Sequence, residues 1–145
     1  MYKRILVTLD QSQLAEQALP HAVAIAKHMD AVVELLSVVP VLDDELVQAV
    51  GSAFDWEAQK QVAEDYLRGI QARVEAEGLR CTIAVRQGNV ADEIIRYCGK
   101  VGRTLVVMST HGRSGLGRWV YGSVTDRVLR YADVPVLLVR AAEEE

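Results

Sequence analysis

Two kinds of apolar pattern alternate along the chain. Short, nearly continuous apolar runs occupy residues 5–9 (Ile-Leu-Val-Thr-Leu), 31–39 (Ala-Val-Val-Glu-Leu-Leu-Ser-Val-Val), 104–108 (Thr-Leu-Val-Val-Met) and 136–139 (Val-Leu-Leu-Val). Runs of that length, rich in β-branched residues, predict parallel strands covered on both faces. A further stretch, 81–86, puts Cys81, Ile83 and Val85 on one face, which predicts a half-exposed edge strand. Between these runs the apolar period lengthens to that of a helix. Leu14, Ala15, Ala18, Leu19, Ala22, Ile25, Ala26 and Met29 form one stripe, with Ser12 as its cap and Pro20 as a local bend. A long helix over 54–77 has the inner stripe Val62, Tyr66, Ile70 and Val74, a solvated face of Glu57, Lys60, Glu64 and Arg68, and Gly78 to end it. A third helix starts at Asn89 and turns Val90, Ile94, Ile95 and Cys98 inward. A fourth starts at Ser123, whose spacing to Asp126 is that of a capping box, and presents Val124, Val128, Leu129 and Ala132.

Five strands alternating with four helices predict an α/β fold: an open five-stranded parallel sheet, helices on both faces, right-handed crossovers. No repeat and no linker-like stretch divides residues 1–145, so one domain is expected. In such sheets ligands bind at the carboxyl ends of the strands. Asp10 closes the first run at such an end, although a carboxylate there also suits a cap on the turn into the next helix. Residues 40–52, with Asp43, Asp44 and Glu45, form a long connection on the same rim.

The segment 105–127 concentrates the candidate chemistry. An apolar run gives way to a polar stretch with Gly112, Gly115 and Gly117, then Gly122 and Ser123 open a helix. Strand, glycine-rich loop and helix N-terminus together suit an anion, because glycine lets the backbone approach and the first helical N–H groups point at the ligand. The same glycines also serve a loop that binds nothing. Arg113, Arg118 and Arg127 lie in this segment, within a chain of formal net charge −4. That overall charge argues against a general nucleic-acid or acidic-membrane binder. Cys81 and Cys98 have no C-x-x-C spacing, so buried reduced thiols are expected rather than a disulfide or a zinc site. The first strand begins near the start, with no leader pattern before it, and no apolar run approaches the roughly 20 residues of a membrane helix. A cytoplasmic protein is the expectation.

Three phosphate or nucleophile motifs nearly match and fail. Gly117 and Gly122 have P-loop spacing, but Ser123 and Val124 stand where Lys and Ser/Thr are required. Gly115-Leu-Gly117 begins a dinucleotide fingerprint, yet Val120 occupies the place of its last glycine. Gly112-Arg-Ser-Gly115 is one residue short of a nucleophile elbow. His111 has no evident carboxylate partner, so a general base there is not expected.

The chain resembles the universal stress protein family over essentially its whole length. The resemblance is carried by the Tyr-Lys-Arg-Ile-Leu-Val opening at 2–7 that leads to Asp10, by the turn at Gly88, by Ser-Thr-His-Gly-Arg-Ser-Gly-Leu at 109–116, by Gly-Ser-Val-Thr at 122–125, and by Val-Pro-Val-Leu-Leu-Val at 134–139. Nucleotide-binding members carry Gly, two residues, Gly, nine residues, Gly, then Ser or Thr. Gly112, Gly122 and Ser123 match it, and Ser109 replaces the first glycine. The resemblance implies a Rossmann-like sheet of order 3-2-1-4-5 and binding of ATP, with or without Mg²⁺. It implies that Asp10 binds the ribose hydroxyls and Val38 contacts adenine. Gly112, Gly122, Ser123 and Val124 surround the phosphates, Thr125 assists, and Gly88 gives room nearby. Thr8, Leu9, Ser109 and His111 complete the candidate contacts. A homodimer through the last strand, between Val136 and Val139, is also implied. The function expected is a nucleotide-responsive stress protein that is not an enzyme. The alternatives are a dimeric interaction module that does not bind ATP, favoured by Ser109, and an enzyme on the same fold.

Overall fold

The alternating pattern folds as expected, with strands β1 (Arg4–Thr8), β2 (Val32–Val39), β3 (Cys81–Gln87), β4 (Thr104–Thr110) and β5 (Val136–Arg140). The structure is a computed structural model that describes residues 1–41, 55–110 and 122–142. The strands form one five-stranded sheet in the order β3-β2-β1-β4-β5, every pair parallel. The helices are α1 (Gln13–Glu16), α2 (Leu19–Met29), α3 (Trp56–Glu75), α4 (Val90–Cys98) and α5 (Ser123–Tyr131).

Because strand side chains alternate, the continuous apolar runs supply two cores at once. Ile5, Val7, Val33, Leu35, Leu105 and Val107 pack against Ala22 and Ala26 of α2 and Leu67 and Ile70 of α3. Leu6, Leu36, Val106 and Met108 pack against Ala91, Ile94 and Cys98 of α4 and Val128 of α5. Cys81, Ile83 and Val85 of the edge strand β3 belong to the first face and Ala84 to the second, as their alternation requires.

The helices depart from the predicted pattern in instructive ways. Pro20 does not bend one long helix; it occupies the first turn of α2, after α1 has ended at Glu16. A first-turn residue needs no N–H, so proline starts a helix there at no cost. In α3 the buried stripe is Ala63, Leu67, Ile70 and Val74. Val62 and Tyr66, expected inside, are 57% exposed and half-buried respectively. The two stripes are adjacent faces of one helix, and the side with Ala63 and Leu67 is the one turned inward. In α4, Tyr97 is buried, whereas Val90 and Ile95 are only half-buried. Leu129 of α5 is exposed rather than inward.

Tyr97 is inside because it completes a polar network at the amino end of β1. Arg4, the first residue of β1, is ion-paired with Glu34 of β2. Arg4 Nε donates to Thr104 Oγ1 at 3.2 Å and a terminal nitrogen to the Tyr97 carbonyl at 3.3 Å. Glu34 Oε2 accepts from Tyr97 Oη at 2.9 Å and from Thr82 Oγ1 at 3.1 Å. The guanidinium of Arg4 also lies 5.3 Å from the Tyr97 ring centre. Removing one member of a buried pair leaves an uncompensated charge. Arg4→Ala is therefore expected to destabilise the fold by about 3 kcal/mol, read as a lower denaturation midpoint in urea.

Cys81 and Cys98 are free and buried, as their spacing led us to expect. Burial, reinforced by Glu75 and Glu34, pushes the Cys81 thiol up to about 12. Burial raises Cys98 as well, against the opposing pull of Arg4. The thiolate is the reactive form. Neither cysteine should react with a disulfide reagent at pH 8 until the protein is unfolded, when both should titrate; rapid labelling of native protein would contradict the burial.

Candidate nucleotide site

β1, at the centre of the sheet, stops short of both its neighbours. Its last residue, Thr8, pairs with Leu36, and Val7 pairs with Val107. β2 runs three residues past Leu36, to Val39, and β4 runs three past Val107, to Thr110. The strand order also reverses here, β2 and β3 lying on one side of β1 and β4 and β5 on the other. The result is a notch at a topological switch point, where open α/β sheets bind ligands.

The notch opens into a cleft of ≈ 820 Å³, within the range of small-molecule sites. Its lining is apolar along Leu36, Val38, Val39, Val62, Ile94 and Met108. Asp10 is the one charged residue among the described residues that line it. Asp10 is exposed, and its Oδ1 accepts from the Ser12 N–H at 3.0 Å and the Ser12 hydroxyl at 2.5 Å. It thus does hold the turn into α1, while facing the cleft. Gln11 takes a positive φ of 71° in that turn. Ser12 in turn caps α1, accepting from the Ala15 N–H at 3.1 Å.

α1 is short but well tied. Ser109 Oγ donates to the Ala15 carbonyl at 3.2 Å. Glu16 accepts from Tyr66 Oη at 2.6 Å and pairs with Arg73 at 3.3 Å. Burial first, and that bond second, raise the Tyr66 phenol well above its ordinary value. Gln17, just past α1, exchanges two hydrogen bonds with the backbone of Ala142.

The opposite lip is the start of α5. Gly122, not Ser123, is the N-cap, with extended φ −55° and ψ 155°. Ser123 is the first helical residue and is exposed, so the capping box read from the spacing to Asp126 is not formed. The Asp126 N–H bonds to the Gly122 carbonyl at 3.0 Å and closes the first turn. The N–H groups of Ser123, Val124 and Thr125 therefore have no acceptor within the helix. With no capping side chain among the described residues, they and the helix dipole present a positive end to the cleft.

Residues 1–140 match the model of the universal stress protein family. The chain belongs to the universal stress protein family. A universal stress protein of Methanocaldococcus jannaschii is 34% identical over 149 aligned residues, which span 100% of this chain and 86% of the relative. Among solved structures, the universal stress protein UspA of Lactobacillus plantarum is 26% identical, with a TM-score of 0.79 over 96% of this chain and 98% of that one. A universal stress protein of Archaeoglobus fulgidus, solved in complex with dAMP, shares the fold at 19% identity, with a TM-score of 0.67 over 94% and 97% of the two chains.

The family resemblance singled out twelve residues, and the fold brings nine of them to one cleft: Thr8, Leu9, Asp10, Val38, Ser109, Gly122, Ser123, Val124 and Thr125. Gly88 lines an adjoining cavity instead. His111 and Gly112 lie outside the described residues, as do Arg113 and Arg118. Ser109, which stands at a motif glycine, is a regular strand residue of β4 in register with Val139. It is not among the positive-φ residues, so a side chain there carries no backbone strain. Its hydroxyl is turned to α1 rather than offered to a ligand. Sequence reading missed Ala58, Gln59 and Val62 of α3, Met108 of β4 and Ile94 of α4 as cleft residues. Val62 held the signal, being an apolar residue beside the polar face of its helix, but it was assigned to the core.

Gly88 is required where it stands. Its φ is 149°, and a Cβ there would lie 2.9 Å from Glu93 Cγ. Gly88→Ala is expected to cost about 1–3 kcal/mol of stability, measurable as a shift in thermal midpoint; an unchanged midpoint would mean that the turn relaxes freely.

Proposed function

We propose that this universal stress protein binds an adenine nucleotide, ATP in the first instance, in the cleft at the carboxyl rim of β1 and β4. The observation that carries this reading is the convergence of three unlike groups in one cavity. Asp10 offers a carboxylate to ribose hydroxyls, Val38 lies on an apolar lining suited to a base, and the uncapped start of α5 offers N–H groups to phosphate. The cleft volume and this donor set fit a nucleotide. The dAMP complex of the A. fulgidus neighbour supports the same class of ligand. No cluster of three metal-ligating side chains occurs among the described residues. Mg²⁺ would accordingly arrive on the phosphates rather than in a protein cage, as is usual for that ion.

Phosphoryl transfer depends on cationic grip and a positioned water. The sequence has no P-loop lysine after Gly122 and no evident carboxylate partner for His111, which favours a binding protein over an enzyme. Occupancy is its output. α1 is joined to the Asp10 turn, to β4 through Ser109, to α3 through Glu16 and to Ala142, just after β5, through Gln17. A ligand that draws on Asp10 therefore acts on all of these together. β5 lies at the sheet edge with half-buried Val136, Leu137 and Leu138, which suits the homodimer that the family implies. The module acts in the cytoplasm in this reading. No helix among the described residues is long and apolar enough to cross a membrane.

Ser123→Asp separates binding from folding. A negative charge in the first turn favours α5 by about 0.5 kcal/mol, yet repels phosphate at the same place. The variant should melt no lower than wild type and lose at least roughly tenfold in ATP affinity by calorimetry. No binding of millimolar ATP to wild type, and no nucleotide released from purified protein on denaturation, would overturn the reading.

A further inference from the structure

A second cavity, of ≈ 500 Å³, adjoins the nucleotide cleft. Pro40, Val90, Ser123 and Val124 line both, so the two compartments lie side by side along these residues. The compartments differ in charge. Asp10 is the one charged residue in the described lining of the first, and Arg127 is the one charged residue in that of the second. Arg127 stands one turn beyond Ser123 on α5, which puts both on one side of the helix.

Arg127 is positioned but not committed. Its Nε donates to Asp92 Oδ1 of α4 at 2.8 Å, and the two side chains are 53% and 44% exposed. Its guanidinium lies 5.5 Å from the Tyr131 ring centre, which holds the fork in place from the same helix. An ion pair this exposed is worth little, so a better anion displaces its carboxylate at small cost. Phosphate is such an anion, because it takes the guanidinium fork bidentately. The acid next to Asp92, Glu93, is already paired with Arg96 at 2.7 Å.

We propose that this second compartment receives the phosphate chain beyond the first phosphate, and that Arg127 discriminates nucleoside triphosphates and diphosphates from monophosphates. The proposal rests on the nucleotide reading of the first compartment. A monophosphate ends at Ser123 and Val124, the shared wall. A longer chain continues past them, toward the side of α5 on which Arg127 lies. Asp92 then acts as the resident competitor. It occupies Arg127 when a monophosphate is bound and yields to the added phosphates of a triphosphate. Discrimination is set by the difference between those two partners, so both residues control it.

The test is the ratio of ATP to AMP affinity, measured by calorimetry in a chelator so that no metal contributes. Wild type should prefer ATP. Arg127→Gln should lower the preference by about tenfold, the value of one charge-assisted hydrogen bond. Arg127→Lys should recover part of it, as a point charge without the fork. Asp92→Asn should raise the preference, because the competitor is gone. That variant also decides the matter if Arg127→Gln melts early. A preference unchanged in both Arg127→Gln and Asp92→Asn, with AMP still bound, overturns the subsite and leaves the nucleotide reading standing. Failure of wild type to bind either nucleotide overturns both.

Discussion

The length of β1 is the constraint on which the site depends. β1 is a central strand paired on both sides, and it ends three residues before β2 does and two before β4 does. The overhanging ends of β2 and β4 become the walls of a notch rather than part of a continuous sheet. Leu9 still bonds to the Leu36 carbonyl at 2.9 Å, and the chain then turns away at Asp10. Placing the turn there sets Asp10 on the rim, and the crossover connections deliver α5 to the facing side. No single residue makes this cleft; strand lengths and the reversal of strand order make it together.

The other end of β1 is fixed by different physics. Arg4, Glu34, Tyr97, Thr82 and Thr104 join four strands, β1 to β4, and α4 in one hydrogen-bonded network. A buried pair is weak evidence of net stability, but its geometry is exacting. It ties the register of β1 to that of β2 at the amino end. Apolar packing on both faces does the rest, with α2 and α3 covering the larger core on one side and α4 and α5 the smaller on the other.

Much of this was legible before any coordinates. Runs such as 104–108 announce buried strands because only a doubly covered strand can be apolar at every position. Ser12 and Asn89 announce helix starts because their side chains satisfy N–H groups that nothing else local can. Asp10, Gly122, Ser123 and Val124 stood out through their spacing and resemblance, and they do meet. What misled was local ambiguity. Stripes 62-66-70-74 and 63-67-70-74 have equally good helical periods, so periodicity alone could not tell core Ala63 from cleft Val62. A proline after a helical turn reads equally as a kink or as a start. Ser123 and Gly122 are both acceptable caps, and backbone conformation chose the glycine.

The sequence by itself determined the fold class and the order of elements, and it picked out part of the cleft rim, Asp10, Gly122, Ser123 and Val124. These follow from periods, caps and motif spacing, which act over a few residues. Only the tertiary structure decided where β1 stops relative to β2 and β4, that Ser109 is an unstrained strand residue turned to Ala15, and that Arg127 meets Asp92 across two helices. Each is a matter of register or of contact between segments far apart in the chain. Such relations are set by how the whole core packs, and no local pattern encodes them.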